Sequence, residues 1–123
     1  MKLRTRGRSI RLRLTRTEVA RLAAGERVEE RVPFGPGTAL VYGIGPGEVP
    51  TVEAHLDGAH VRVVAPLDVI STWASSDAVG FDGRKDLGDG TFLTILVEKD
   101  WNCLTSRPGE EDVDTFPNPS ASC

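Results

Sequence analysis

The sequence predicts an α+β fold: a compact, antiparallel-rich β-barrel built from two β-α-β-β repeats and followed by an irregular C-terminal tail. Three observations carry this. Short runs of apolar residues alternate with polar ones at a period of two, as in half-buried strands. Two brief stretches repeat at helical spacing instead, each behind a helix-start signal. The two halves of the chain also match each other when Ile10 is set on Val61.

Ile10, Leu12 and Leu14 alternate with Arg11 and Arg13 and define the first clear strand. Upstream, Leu3 is apolar while Arg4, Arg6 and Arg8 are basic, so the parity flips near Gly7. A bulge or a tight turn at Gly7-Arg8 accounts for the flip, since glycine takes up the positive φ such sites need. Arg4, Arg6, Arg11 and Arg13 then share one solvent face. Thr15-Arg16-Thr17-Glu18 has the capping-box pattern, with Thr15 accepting from a backbone N–H and Glu18 reaching back. Val19, Leu22 and Ala23 follow as a short helical stripe that Gly25 stops. Val28, Val32 and Phe34 make a second strand, Pro36-Gly37 a turn, and Leu40, Tyr42 and Ile44 a third strand. Glu30 falls on the apolar parity of its strand, which marks either a bulge or a charge directed at a pocket.

Past the break from Gly45 to Pro50, the strands Val52 to Leu56 and His60 to Val64 flank an Asp57-Gly58 hairpin signal. Pro66 suits the first position of a helix whose stripe is Leu67, Ile70 and Trp73 or Ala74. Val79 and Phe81 open another strand, and Asp89-Gly90 turns the chain into the run Phe92 to Val97. That run is apolar at nearly every position, and a strand apolar on both faces belongs in the middle of a structure. Leu93, Ile95 and Val97 on one parity, and Phe92 and Leu96 on the other, are therefore expected to be buried. Periodicity ends after Asp100.

The internal match runs through both halves. Ile10-Arg11-Leu12 falls on Val61-Arg62-Val63, Glu18-Val19 on Asp68-Val69, and Val28 on Val79. Gly37-Thr38 falls on Gly90-Thr91, and Leu40, Tyr42 and Ile44 fall on Leu93, Ile95 and Val97, with the offset drifting only from 50 to 53 residues. The 123 residues make one domain, with halves at about 1–45 and 51–100 and a tail at 101–123.

A hydrophobic fraction of 39% with 27% charged residues describes a globular chain rather than a disordered one. The longest apolar run is too short to cross a bilayer, and the basic N-terminus has no apolar stretch behind it. The expected location is the cytoplasm, without membrane contact. The net charge of −3 hides an asymmetry: residues 1–31 carry ten basic and four acidic side chains, residues 32–123 five basic and fourteen acidic. A basic head implies either an anionic partner or pairing with the acidic remainder.

The stretch Gly7 to Leu14, followed by Glu18-Val19 and by Gly25-Glu26-Arg27-Val28-Glu29, resembles the swapped-hairpin units of AbrB- and MazE-type transcription factors. Two such units fused in one chain resemble the cradle-loop and double-psi barrels, and the likeness implies DNA binding through basic strands and loops. Over its full length the chain resembles an uncharacterised bacterial domain family of unknown function. Met1 to Arg4, Ser9 to Thr15, Val97 to Asp100, Cys103-Leu104 and Phe116 to Pro119 carry that likeness, which implies no activity.

The residues offer three candidate sites. Arg4, Arg6, Arg11 and Arg13 form a row of guanidinium groups able to engage phosphates, or a solvated face paired with Glu110, Glu111, Asp112 and Asp114. Cys103 and Cys123, with the nearby acids, are metal-ligand or enzyme-site candidates, though thiolates and carboxylates favour different ions; free thiols or a disulfide are the alternatives. His55 and His60 flank the Asp57-Gly58 turn as a further metal-binding or proton-shuttling pair. No catalytic elbow, phosphate-binding loop or zincin motif is present. The leading expectation is a small, non-enzymatic cytoplasmic binding or regulatory protein with no cofactor, its partner a protein or an anionic ligand. Nucleic-acid binding through the arginine face, and metal binding or catalysis by the tail, are the alternatives.

Overall fold

The computed structural model describes residues 1–101 and 114–116. Strands β1 (Lys2–Thr5) and β2 (Ser9–Leu14) form a hairpin, followed by helix α1 (Arg16–Ala23) and a second hairpin of β3 (Val28–Gly35) and β4 (Thr38–Pro46). The order then recurs as β5 (Glu53–Asp57), β6 (His60–Ala65), α2 (Leu67–Ala74), β7 (Gly80–Asp86) and β8 (Phe92–Lys99).

Local chemistry explains the boundaries. Arg6 and Ser9 exchange backbone hydrogen bonds of 3.0 and 3.1 Å around Gly7-Arg8, and Gly7 has φ 55°. The parity flip is thus a two-residue hairpin turn rather than a bulge. Gly58-Ala59 plays the same part between β5 and β6, with Gly58 at φ 59° and Asp57 opposite His60. The capping box at α1 is complete: Thr15 Oγ1 accepts from Glu18 N at 3.3 Å, and Glu18 Oε1 accepts from Thr15 N at 2.9 Å. At α2, Pro66 occupies the cap position one residue before the helix and leaves it without a side-chain cap.

The strands lie in two mixed four-stranded sheets, ordered β1-β2-β8-β7 and β3-β4-β6-β5. Each sheet takes one hairpin from each half and joins them through a parallel central pair. Ile10 lies beside Ile95 in the first sheet, and Val61 beside Tyr42 in the second. The outer pairs are antiparallel. The expected closed barrel is corrected: no closed barrel is found, and side chains span the gaps between the sheets. Lys85 Nζ donates to Ala54 O at 2.9 Å between the edge strands β7 and β5, and Tyr42 Oη, on the inner strand β4, donates to Met1 O at 3.2 Å. Between β7 and β5 a side chain stands where a barrel would need a backbone ladder. The alignment of Val28 with Val79 also shifts. Val28 stands opposite Ile44 and Phe81 opposite Val97, so the position corresponding to Val28 is Phe81.

One core joins the inner faces of both sheets to both helices: Leu12, Leu14, Ile44, Val63, Ile95 and Val97 are fully enclosed, with Leu22 and Ile70 from the helices. β8 is central, as its composition predicts, and Ile95 and Val97 are buried. Its other parity is not. Phe92 is 46% exposed and Leu96 half-buried. Both helices pack on the inner side, so the outward row of β8 has no layer above it among the described residues. No helix among these residues is long and apolar enough to cross a membrane.

Candidate functional site

The outer face of the first sheet gathers the predicted arginines. Lys2 stands opposite Arg13, and Arg4 opposite Arg11. Arg6, bonded to Ser9 across the turn, continues the same parity. Across the parallel joint, Arg11 neighbours Leu96 and Arg13 neighbours Glu98; beyond β8, Asp82 stands opposite Leu96 and Arg84 opposite Thr94. Rows of side chains lie about 6.6 Å apart along the strands, two residues per step.

Few of these cations are neutralised. Arg11 Nε lies 2.8 Å from Glu98 Oε1, and Lys2 Nζ 3.4 Å from Asp100 Oδ2. Among the described residues no carboxylate forms an ion pair with Arg4, Arg6, Arg8 or Arg13, and Arg13 Nε is buried without a hydrogen-bond partner.

The expected pairing with the tail is corrected at its one described member. Asp114 sits at the N-terminus of α1, where its carbonyl accepts from Arg16 N at 3.0 Å and its carboxylate from Thr17 N at 3.4 Å. The hydrogen bond with Thr17 is the main reason its carboxyl titrates below the usual range. Free N–H groups at a helix start draw an acceptor in this way, and the attraction outcompetes a solvated arginine row. Glu110, Glu111, Asp112, Cys103 and Cys123 lie outside the described residues.

His55 and His60 point to the outer face of the second sheet but serve separate partners. His55 stands opposite Arg62 and lies 3.2 Å from Glu53 Oε1; His60 stands opposite Asp57 and lies 2.9 Å from Glu29 Oε2. No group of three or more His, Cys, Asp and Glu able to hold a metal ion occurs among the described residues.

One buried polar side chain, Lys99, escaped the pattern reading, and one flagged by it, Glu30, is only half-buried. Lys99 continues the inward parity of Leu93, Ile95 and Val97 and is only 3% exposed. Its Nζ donates to Ser76 O at 2.7 Å and lies 5.5 to 5.9 Å from the ring centres of Phe116, Trp73 and Trp101. Burial pushes its pKa down, partly opposed by Asp77. The parity itself was the available signal. Glu30 is the inward charge that its parity allowed, in an unbroken register from Val28 to Pro33. Its Oε1 lies 3.3 Å from the Met1 amino nitrogen. Burial first, then Glu30 and Glu18, raises the pKa of neighbouring Tyr42.

A groove of about 540 Å³ runs between α1 and α2, lined by Ala20, Ala23, Ser71, Ala74 and Phe116, with Arg16 its single charged side chain. It offers no acid–base pair.

A family model matches residues 1–120, nearly the whole chain. The chain belongs to DUF7009, a family of unknown function. No curated protein and no solved structure matches it. These comparisons do not confirm the likeness of each half of this DUF7009 chain to swapped-hairpin units.

Proposed function

We propose that the chain is a non-enzymatic cytoplasmic binding protein that takes an anionic partner, a nucleic-acid backbone, on the outer face of its first sheet. The observation that carries this is the register that sets Arg4 against Arg11, with Arg6 and Arg13 in the flanking rows. Among the described residues Glu98 ion-pairs Arg11 and Asp100 ion-pairs Lys2, and no carboxylate is paired to Arg4, Arg6 or Arg13. Guanidinium groups left without carboxylates on a sheet are suited to phosphate oxygens, which they grip through two parallel N–H bonds.

The same reading takes the two halves as copies of one hairpin–helix–hairpin unit. Its support is the recurring element order and the matched central pairs, in which Ile10 beside Ile95 corresponds to Val61 beside Tyr42.

The test is binding of a labelled polyanion measured by fluorescence anisotropy at about 50 and 200 mM salt. Arg4, Arg6 and Arg13, the three arginines of this row without described carboxylate partners, predict a log–log salt slope of about −3 on a duplex and about −2 on a single strand. The triple variant Arg4→Gln/Arg6→Gln/Arg13→Gln is expected to lose most of the affinity and flatten the slope. Unchanged binding by that variant would place the anion site elsewhere and end the proposal.

A further inference from the structure

Resting on that reading, we infer that the arginine face takes single-stranded nucleic acid, with Phe92 as the platform on which a base stacks. Phe92 has the outward parity of Thr94 and Leu96, and the residue is 46% exposed. The Arg84 guanidinium stands 5.7 Å from the ring centre, from the neighbouring edge strand and on the same face. Thr94 N donates to Arg8 O at 2.8 Å, which fastens the Gly7-Arg8 turn beside the start of β8. Phe92 therefore lies at the same end of the sheet as Arg6, Arg8 and Arg84.

A large apolar ring left in water on a solvent face has no core to serve. The Arg84 guanidinium lies over the ring, Arg6 and Arg8 stand at the same end of the sheet, and Asp86 is opposite Phe92 on β7. A strand of unpaired bases meets both features at once: its phosphates track the guanidinium rows while a base covers the ring. A duplex meets only the first, because its bases are stacked on each other and its backbone alone faces a flat sheet. From the Lys2–Arg13 row to Phe92 is three steps of two residues, about 20 Å along the strands, a span for a few nucleotides.

The experiment compares a labelled single strand of about 12 nucleotides with the duplex of the same sequence, by anisotropy, on the full chain. Tighter binding of the single strand is expected. Phe92→Ala is expected to weaken it roughly tenfold and Phe92→Leu by a similar factor, while Phe92→Trp retains it, since stacking needs a π face rather than mere apolarity. The same variants should leave duplex binding and the salt slope as they are. If the duplex binds as tightly as the single strand and Phe92→Ala changes nothing, the stacking site is refuted while the phosphate-binding face stands. If an acidic peptide of equal charge competes as well as the single strand, the face is a general anion surface and the inference fails. If neither nucleic acid binds, or binding ignores Arg4→Gln/Arg6→Gln/Arg13→Gln, the underlying reading falls with it.

Discussion

The first and third hairpins of the chain are built alike and charged differently. Both turn on a two-residue loop led by a left-handed glycine, both supply an edge strand, and both send the second strand to a parallel partner in the middle of a sheet. Their inward positions are the same kind of residue: Leu12 and Leu14 in one, Val63 and Ala65 in the other, all fully enclosed. Their outward edge positions are not. β1 shows Lys2 and Arg4, whereas β5 shows Glu53, His55 and Asp57. On the second sheet each histidine has its own glutamate, and Arg62 pairs with Asp57 at 3.5 Å. The inner parity fixes the architecture, and the outer parity is left free to set what the surface meets. Charge alone would not separate the two faces, since both carry arginine. The difference is that Arg4, Arg6 and Arg13 have no carboxylate partner among the described residues, whereas Arg62 has Asp57.

The strongest way to break this comparison is through the shared core. If the inward positions do equal work in the two sheets, Leu12→Ala in β2 and Ile44→Ala in β4 should each destabilise by about 2–5 kcal/mol, as for enclosed aliphatic side chains. Truncating Ile95, on the central strand of the first sheet, belongs to the same range. Chemical denaturation with a constant slope would measure all three. A loss below about 1 kcal/mol for one sheet alone would mean that the two faces do not share one core.

The hairpins, the capping box and the central place of β8 could all be read from residues, because each depends on neighbours close in sequence. Gly7 and the alternation around it located the turn without any tertiary information. The mistakes lie where tertiary pairing decides. Closure of a barrel depends on whether edge strands hydrogen-bond, and the alternation of Leu3, Ile10 and Leu12 is the same in an open sheet. Phe92 and Leu96 were expected inside because composition gives no direction; only the placement of both helices on one side leaves their row uncovered. The arginine row was recoverable from parity plus one turn. Its freedom from Asp114 was not, since the competing site, the start of α1, becomes a competitor only when the chain returns to it.

The ends of the central strands offer a sharper contrast. β4 ends on Pro46 beside Ala65, whereas the corresponding position on β8 is Lys99 beside Leu14. Lys99 holds a proton less tightly in the folded protein than in the unfolded chain, because burial disfavours its charge. The unfolded state thus binds more protons between the lowered folded pKa and the ordinary 10.5. Stability contributed by this group therefore rises with pH across that window and levels off above it. Lys99→Met removes the titration and keeps the bulk. Its stability relative to the parent should be highest at neutral pH and should decline as the pH approaches 10.5, as followed by urea melts at a series of pH values. A constant difference at every pH would mean that the ammonium is as well solvated in its aromatic enclosure as in water.

The smallest expected effect distinguishes the corresponding arginines, Arg11 and Arg62. Arg11 reaches across the parallel joint to Glu98 at 2.8 Å, with the carboxylate side chain 21% exposed. Arg62 has Gly43 beside it at that joint and turns back within its own hairpin to Asp57, 3.5 Å away and 69% exposed. Solvent screens the second pair more fully, and its geometry is looser, so the two should differ although both are drawn from one structural position. Double-mutant cycles with Arg11→Gln and Glu98→Gln, and with Arg62→Gln and Asp57→Asn, isolate each coupling from its surroundings. The first cycle is expected to give about 0.5–1 kcal/mol and the second a value near zero, within the usual span for surface ion pairs. Adding salt should shrink the first and leave the second unchanged. Equal couplings would mean that the joint does not favour the Arg11 pair. The neutralisation of Arg11 would then be as weak as that of an isolated surface charge, and Arg11 would join Arg4, Arg6 and Arg13 as a cation open to phosphate, steepening the salt slope of binding by about one.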